Sequence, residues 1–230
     1  VEIFIKENYK VSNFNCKLGE SMGVNDKEDL AKLEKQFQEE MRKKFLKKGV
    51  TLIDPFSVYF SKDTKIGKDV VIYPNVYFGP GVKIGDKVII KSFCHIELTK
   101  IGNSSVIGPF ARLRGDTLID NNAKVGNFVE VKKSKVSNNV KISHLSYVGD
   151  SVIEKNSNIG AGTITCNFDG YKKNKTYIGE NCFIGSNTSL IAPIKIKKNS
   201  VIGAGTVVDK NVQEGSVVYR KSKLIKKDKI

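Results

Sequence analysis

Arg114 and Lys132 stand 18 residues apart, and His144 is followed at matching repeat positions by Ala161, Ser186 and Ala204. Two cations held side by side repel unless an anion bridges them, so a stacked Arg–Lys pair would bind a phosphate or a carboxylate. The chain has two histidines, and an imidazole is the natural general base near neutral pH. Small residues climbing away from His144 would leave a shallow axial groove able to take a long, thin ligand. Taken singly, each of these residues is also ordinary surface chemistry. What separates the readings is whether the chain stacks them.

A repeat does stack them. From Ile178 an aliphatic residue returns every six positions, at Ile184, Leu190, Ile196 and Ile202, with a small or β-branched residue four places after each. The same ladder runs from Ile66 through Ile96, slips by one residue to Ile101, and continues to Val131, Val136, Val148, Ile153 and Ile159. Neither a helix nor an ordinary strand has a period of six. The pattern predicts an all-β solenoid, a left-handed parallel β-helix of hexapeptide repeats in which each hexad is one short strand and one corner and three hexads close a coil. Residues 17 or 18 apart then lie roughly 4.8 Å from one another. A Gly or polar residue after each rung is expected to allow the corner. His95 has no column of small residues and reads as structural.

Around the ladder, residues 1–25 begin with a strand-like alternation and are expected to be the last strand of a domain that lies upstream. Residues 26–50 form a linker α-helix, capped at Asn25 or Asp26 and ended by Gly49. The β-helix is expected over 51–215, interrupted by a loop at Thr165–Lys175 (TCNFDGYKKNK). Residues 216–230 are a basic tail carrying Arg220, Lys221, Lys223, Lys226, Lys227 and Lys229.

The 230 residues carry a formal charge of +15, which favours anionic partners such as phosphate-bearing substrates or a nucleotide cofactor; nucleic acid is the weaker reading. Four cysteines without CxxC spacing argue against a disulfide or metal framework and for a reducing cytoplasm. No apolar run is long enough to cross a bilayer, and no signal-peptide pattern opens at Val1. A zinc-dependent β-helix carbonic anhydrase needs three histidines and is excluded by composition. A non-catalytic basic scaffold stays open, as does another hexapeptide-repeat acetyltransferase.

The runs IGPFARLR, GNFVEVKK, HLSYVGD, NIGAGTITCNFDG, IGSNTSLIAP and GAGTVV, with GVNDKEDLAKLE before them, resemble the C-terminal acetyltransferase part of the bacterial bifunctional N-acetylglucosamine-1-phosphate uridyltransferase/glucosamine-1-phosphate N-acetyltransferase family. The resemblance covers nearly the whole chain. It implies a homotrimer that transfers acetyl from acetyl-CoA to glucosamine 1-phosphate, on the route to UDP-N-acetylglucosamine and cell-wall precursors. It implies His144 as general base; Arg114, Lys132, Tyr147 and Asn158 as sugar-phosphate contacts; and Ala161, Asn167, Phe168, Ser186, Ala204 and Lys221 as acetyl-CoA contacts. Asn25 matches a magnesium position of the uridyltransferase half, whose glycine-rich nucleotide loop is not in this sequence. The sequence departs from the family pattern at Gly115-Asp116, where Pro-Gly is usual, at Phe168, where tyrosine is usual, and at Lys221, where arginine is usual. The resemblance also places the active site between chains, with the 165–175 loop reaching a neighbour. An oxyanion donor is expected among the backbone N–H groups of Gly160–Thr163.

Overall fold

The computed structural model describes residues 1–16 and 23–221. It divides into two compact units, Val1–Arg42 and Lys43–Ile230, so the division falls inside the helix Lys27–Lys47. Asp26 caps that helix: its carboxylate accepts the backbone N–H of Asp29 at 2.8 Å. Gly49, at φ +84°, turns the chain out of the helix.

From Thr51 the chain winds as a left-handed parallel β-helix of about nine turns. Three parallel sheets form its faces. Face A has ten strands, from Thr51–Leu52 to Val217–Val218; face B has eight, from Tyr77–Phe78 to Val207–Val208; face C has eight, from Lys65–Ile66 to Ile194–Ile196. The ladder residues point into the bore as expected. On face A, Ile72, Ile90, Ile107, Val125, Ile142, Ile159, Ile184 and Ile202 are each no more than 2% exposed. Burying each aliphatic side chain contributes about 1.5–3 kcal/mol, and stacking like on like fills the bore without voids.

The small inward position four residues after a rung is often a hydroxyl, and most of these are paired; among the described residues Thr64 and Thr176 are buried without a partner. Ser105 donates to the carbonyl of Asp120 at 2.9 Å, Ser157 to that of Gly179 at 2.8 Å, and Ser200 to that of Gln213 at 2.9 Å. Each hydroxyl satisfies a corner carbonyl that no strand can reach. At the N-terminal end of the second unit, Phe45 packs on Phe60 at 4.8 Å between ring centroids, and Phe60 stacks on Phe78 at 5.4 Å.

The corners differ from the sequence expectation. The left-handed residue is the third after most rungs, and it is usually not glycine: Asn122, Asn139, Asn156, Asn181 and Asn199 take φ between 55° and 61°. Asparagine tolerates that region, and here the side chains also link into a ladder. Asn139 donates to Asn156 at 3.0 Å, Asn156 to Asn181 at 3.1 Å, and Asn181 to Asn199 at 3.1 Å. The glycine directly after a rung serves another purpose. A Cβ on Gly67 would meet the Gly85 carbonyl carbon of the next coil at 2.7 Å, so this particular corner leaves no room for a side chain.

Three boundaries also differ. The strand expected in 1–25 is replaced by a short helix, Glu2–Lys6, with no buried residue; a lone segment without a ladder partner satisfies its backbone locally. Thr165 and Cys166 belong to the strand Ile164–Cys166, with Thr165 paired to Leu190, so the excursion is shorter than expected and begins at Asn167. Val217–Val218 pairs with Val201–Ile202, which carries the solenoid past residue 215. Lys223, Lys226, Lys227 and Lys229 lie outside the described residues. Among the described residues no helix is long and apolar enough to cross a membrane.

Ile107→Ala, deep in the bore and fully buried, should cost about 2–5 kcal/mol. A fall in the urea midpoint with an unchanged slope would bear this out. An unchanged midpoint would mean the coils close over the lost methyls and the bore is not tightly packed.

Candidate functional site

Face B carries Arg114, Lys132 and Tyr147 because three consecutive strands project alike. Arg112–Arg114, Glu130–Lys132 and Tyr147–Gly149 pair in register, with Arg114 opposite Lys132 and Lys132 opposite Gly149. The stacking of Arg114 on Lys132 expected from their spacing is therefore present. Arg114 is also held from the side: its Nε donates to the Glu130 carboxylate at 2.7 Å, an ion pair in which both side chains are less than a third exposed. That contact occupies one edge of the guanidinium and leaves its two terminal nitrogens as a fork.

A third cation joins them from the loop. The Lys173 ammonium lies against that of Lys132 and, with partial desolvation and the charge of Arg114, holds Lys132 below the usual lysine range, while Asp150 opposes the shift. Sequence reading missed Lys173, because a loop excursion carries no repeat register. The loop that presents it is built on Asp169, whose carboxylate accepts the backbone N–H groups of Lys172 at 2.8 Å and Tyr171 at 2.9 Å, and the Asn174 amide at 2.7 Å. Those bonds pull the Asp169 carboxyl down to about 2. Phe168 bridges to Lys173 through the backbone and its ring is exposed.

Tyr147 and Asn167 meet over Gly149. Asn167 is buried, and its amide donates to the Asp150 carboxylate at 2.6 Å and lies 3.4 Å from the Tyr147 hydroxyl. A Cβ on Gly149 would stand 2.4 Å from that hydroxyl and 2.7 Å from the Asn167 amide, so glycine is what lets the two side chains converge.

His144 stands at the end of the strand Lys141–His144 on face A, where the chain turns towards Tyr147. Its side chain is exposed and its Nδ1 faces the Asn127 amide oxygen. Rungs Ile142, Ile159, Ile184 and Ile202 pair in sequence, so His144, Ala161, Ser186 and Ala204, each two residues beyond a rung, form one column at the A–B corner. The expected column of small residues is present there. Within one chain Asn158 is not brought to face B; it projects from face A, paired with Lys141 and Phe183. In the Gly160–Thr163 corner, the Gly160 N–H is taken by the Ile184 carbonyl and the Thr163 N–H by that of Gly160, which narrows the candidate oxyanion donors to Ala161 and Gly162.

The remaining candidates are scattered. Lys221 is exposed at the end of the described chain. Asn25 is spent on Asp29, at 3.3 Å and 3.4 Å, and among the described residues no group of three or more His, Cys, Asp or Glu side chains could hold a metal ion. His95 stacks on Tyr77 at 4.8 Å and lies 4.0 Å from Glu97, as a structural residue would.

The Lys132 penalty is fully present below its lowered pKa and fades as the pH rises from there to the ordinary lysine range. A bound dianion would relieve it at neutral pH. Inorganic phosphate at roughly ten times its Kd should therefore stabilise the chain by about 1.4 kcal/mol, read as a rise in Tm, and Lys173→Ala should shrink the gain. No rise, or an equal rise in the variant, would show that the three cations do not act together on an anion.

A family model described as bacterial transferase hexapeptide (six repeats) matches residues 63–97 and 98–133, and one described as hexapeptide repeat of succinyl-transferase matches 175–210. The bifunctional protein GlmU of Wolbachia pipientis wMel is 49% identical over 227 residues, 99% of this chain and 53% of its own length. That of Paramagnetospirillum magneticum is 51% identical over 198 residues, covering 86% of this chain and 44% of its own. The chain thus spans about half the length of the curated relatives it matches. LpxA of Bacteroides fragilis, a UDP-N-acetylglucosamine acyltransferase, superposes with a TM-score of 0.60 over 69% of this chain and 68% of its own, at 21% identity, a likeness of fold.

Proposed function

Because this chain is a hexapeptide-repeat relative of the GlmU proteins, we propose that it moves an acetyl group from acetyl-CoA to the amine of glucosamine 1-phosphate. The product, N-acetylglucosamine 1-phosphate, would feed UDP-N-acetylglucosamine synthesis. The observation that carries the reading is the cluster of Arg114, Lys132 and Lys173 on the face that His144 leads into. A phosphate on the acceptor fits three gathered cations, and a general base fits an exposed imidazole at the groove.

In this reading the phosphate sits between the guanidinium fork and the two ammonium groups, with Tyr147 beside the sugar. The small-residue column of Ala161, Ser186 and Ala204 takes the thin arm of acetyl-CoA, flanked by Phe168 and with the basic Lys221 for its phosphates; Asn167 supports Tyr147 from beneath. His144 Nε2 removes a proton from the amine, the nitrogen attacks the thioester carbonyl carbon, and the tetrahedral oxyanion is met by the N–H of Ala161 or Gly162. The C–S bond then breaks, and the proton held by His144 leaves with the CoA thiolate. No metal is needed for these steps. Magnesium at Asn25 belongs only to a longer chain that supplies further ligands.

Asn158 would join the site from a neighbouring copy, since its face turns away from Arg114. A homotrimer fits this, and so does the stack of Phe93, Phe110 and Phe128 along one corner, at 4.8 Å and 4.9 Å between rings and about half exposed, with Leu145 next in line. Such a row of apolar surface suits burial against another copy. The free thiols Cys94 and Cys182 inside the bore suit the reducing cytoplasm.

The test is release of free CoA from acetyl-CoA in the presence of glucosamine 1-phosphate. His144→Ala should lower kcat by about 10²–10⁴, whereas Arg114→Ala should raise KM for the sugar phosphate more than for acetyl-CoA. A folded chain without turnover overturns the reading; equal turnover in His144→Ala removes the base. The rival reading as a non-catalytic basic scaffold predicts steeply salt-dependent polyanion binding that is indifferent to His144.

A further inference from the structure

We infer that Asn127 is a positioning residue that fixes the tautomer of His144, holding the proton on Nδ1 so that Nε2 presents a bare lone pair to the groove. The kinetic part of this rests on the reading above; the tautomer itself does not.

Asn127 and His144 are register partners at the ends of the strands Lys124–Asn127 and Lys141–His144. These two strands run four residues each, where the other strands of face A run two. The extension has a visible cause. A Cβ on Gly126 would stand 1.9 Å from the Ser143 carbonyl oxygen, so the backbones close up only because residue 126 is glycine, and the pairing persists two residues past the rung. Both partners are then anchored: the Asn127 carbonyl accepts the Leu145 N–H at 3.0 Å, and the His144 carbonyl accepts the Ser146 hydroxyl at 2.8 Å.

Across this pairing the Asn127 amide oxygen meets His144 Nδ1. An amide oxygen can only accept, so Nδ1 must carry the hydrogen and Nε2 must be the unprotonated nitrogen. The chemistry of the partner matters as much as its place. A carboxylate at 127 would also hold Nδ1–H but would favour the imidazolium; a neutral amide fixes the ring without adding negative charge. The result is an imidazole oriented to take a proton at Nε2.

With only two histidines, ¹⁵N-histidine labelling resolves the matter in the protein without ligands, His144→Ala assigning the signals and His95 reporting that the fold is intact. The expected spectrum has a pyrrole-like Nδ1 and a pyridine-like Nε2 for His144. Asn127→Ala should turn it into an exchanging mixture, while Asn127→Asp should keep Nδ1–H and titrate at higher pH. In acetyl transfer, Asn127→Ala should lower kcat about tenfold or more with both KM values nearly unchanged, and Asn127→Asp should recover most of the rate above an acid limb moved to higher pH. A proton on Nε2 in the unmutated chain, or an unchanged His144 spectrum in Asn127→Ala, overturns the assignment. The inferred tautomer with an undiminished kcat in Asn127→Ala overturns the positioning role. A chain that shows the tautomer but no acetyl transfer refutes the proposed reaction and supports the Asn127–His144 pairing.

Discussion

Everything in the second unit follows from one constraint: consecutive coils are joined by parallel ladders, so a residue's neighbours are fixed by its repeat phase. The aliphatic rungs enforce this phase by filling the bore. A slip of one residue would turn each rung outward and leave a polar residue inside, so the register is held by the whole column of buried rungs rather than by any single bond. The one-residue slips in the sequence are absorbed at corners, where a coil of 17 residues closes as well as one of 18. Rigidity here is a property of the column, and it is passed to whatever the outer faces carry.

That rigidity makes the outer chemistry possible. Like charges directly opposite on neighbouring strands destabilise a sheet, yet Arg114 and Lys132 are held opposite each other by the same ladder that pairs Leu113 with Val131. Glu130 offsets part of the cost at Arg114; Lys173 adds to it at Lys132. A fold stabilised mainly for packing would not bring a third ammonium from a loop to that place, and then brace the loop with three bonds to Asp169. The neighbouring Lys173 ammonium and the charge of Arg114 lower the Lys132 pKa, and a perturbation of that kind marks a candidate anion site.

The parts of this arrangement that obey the repeat were legible in the sequence. The rungs, the small inward positions, the opposition of Arg114 to Lys132 and the column above His144 all follow from counting six and eighteen. Asn127 obeys the same count, one coil before His144 at the same phase, but an amide among small residues carries no mark of the contact it makes. What leaves the repeat was not legible. Lys173 sits on an excursion with no register; the Asp150–Asn167–Tyr147 contact depends on side chains meeting over Gly149; the corner glycines looked like a need for φ but answer to the distance between coils. The helix at Glu2–Lys6 was misread because an alternating pattern alone does not say whether a partner strand is present.

The two faces also explain why one chain is a poor candidate for a whole site. Successive faces of a three-sided coil turn away from one another, so residues on A and on B share a surface only at their common corner. His144 lies at that corner and can be reached from both sides, whereas Asn158 and Arg114 project along different normals. In the proposed reading a ligand touching both would be gripped by two chains, with the corner of one set against a face of the next. The contact that orients His144 then comes from Asn127, on the coil below. The four-residue strands and the missing side chain at Gly126 supply that support where face A otherwise has two-residue strands.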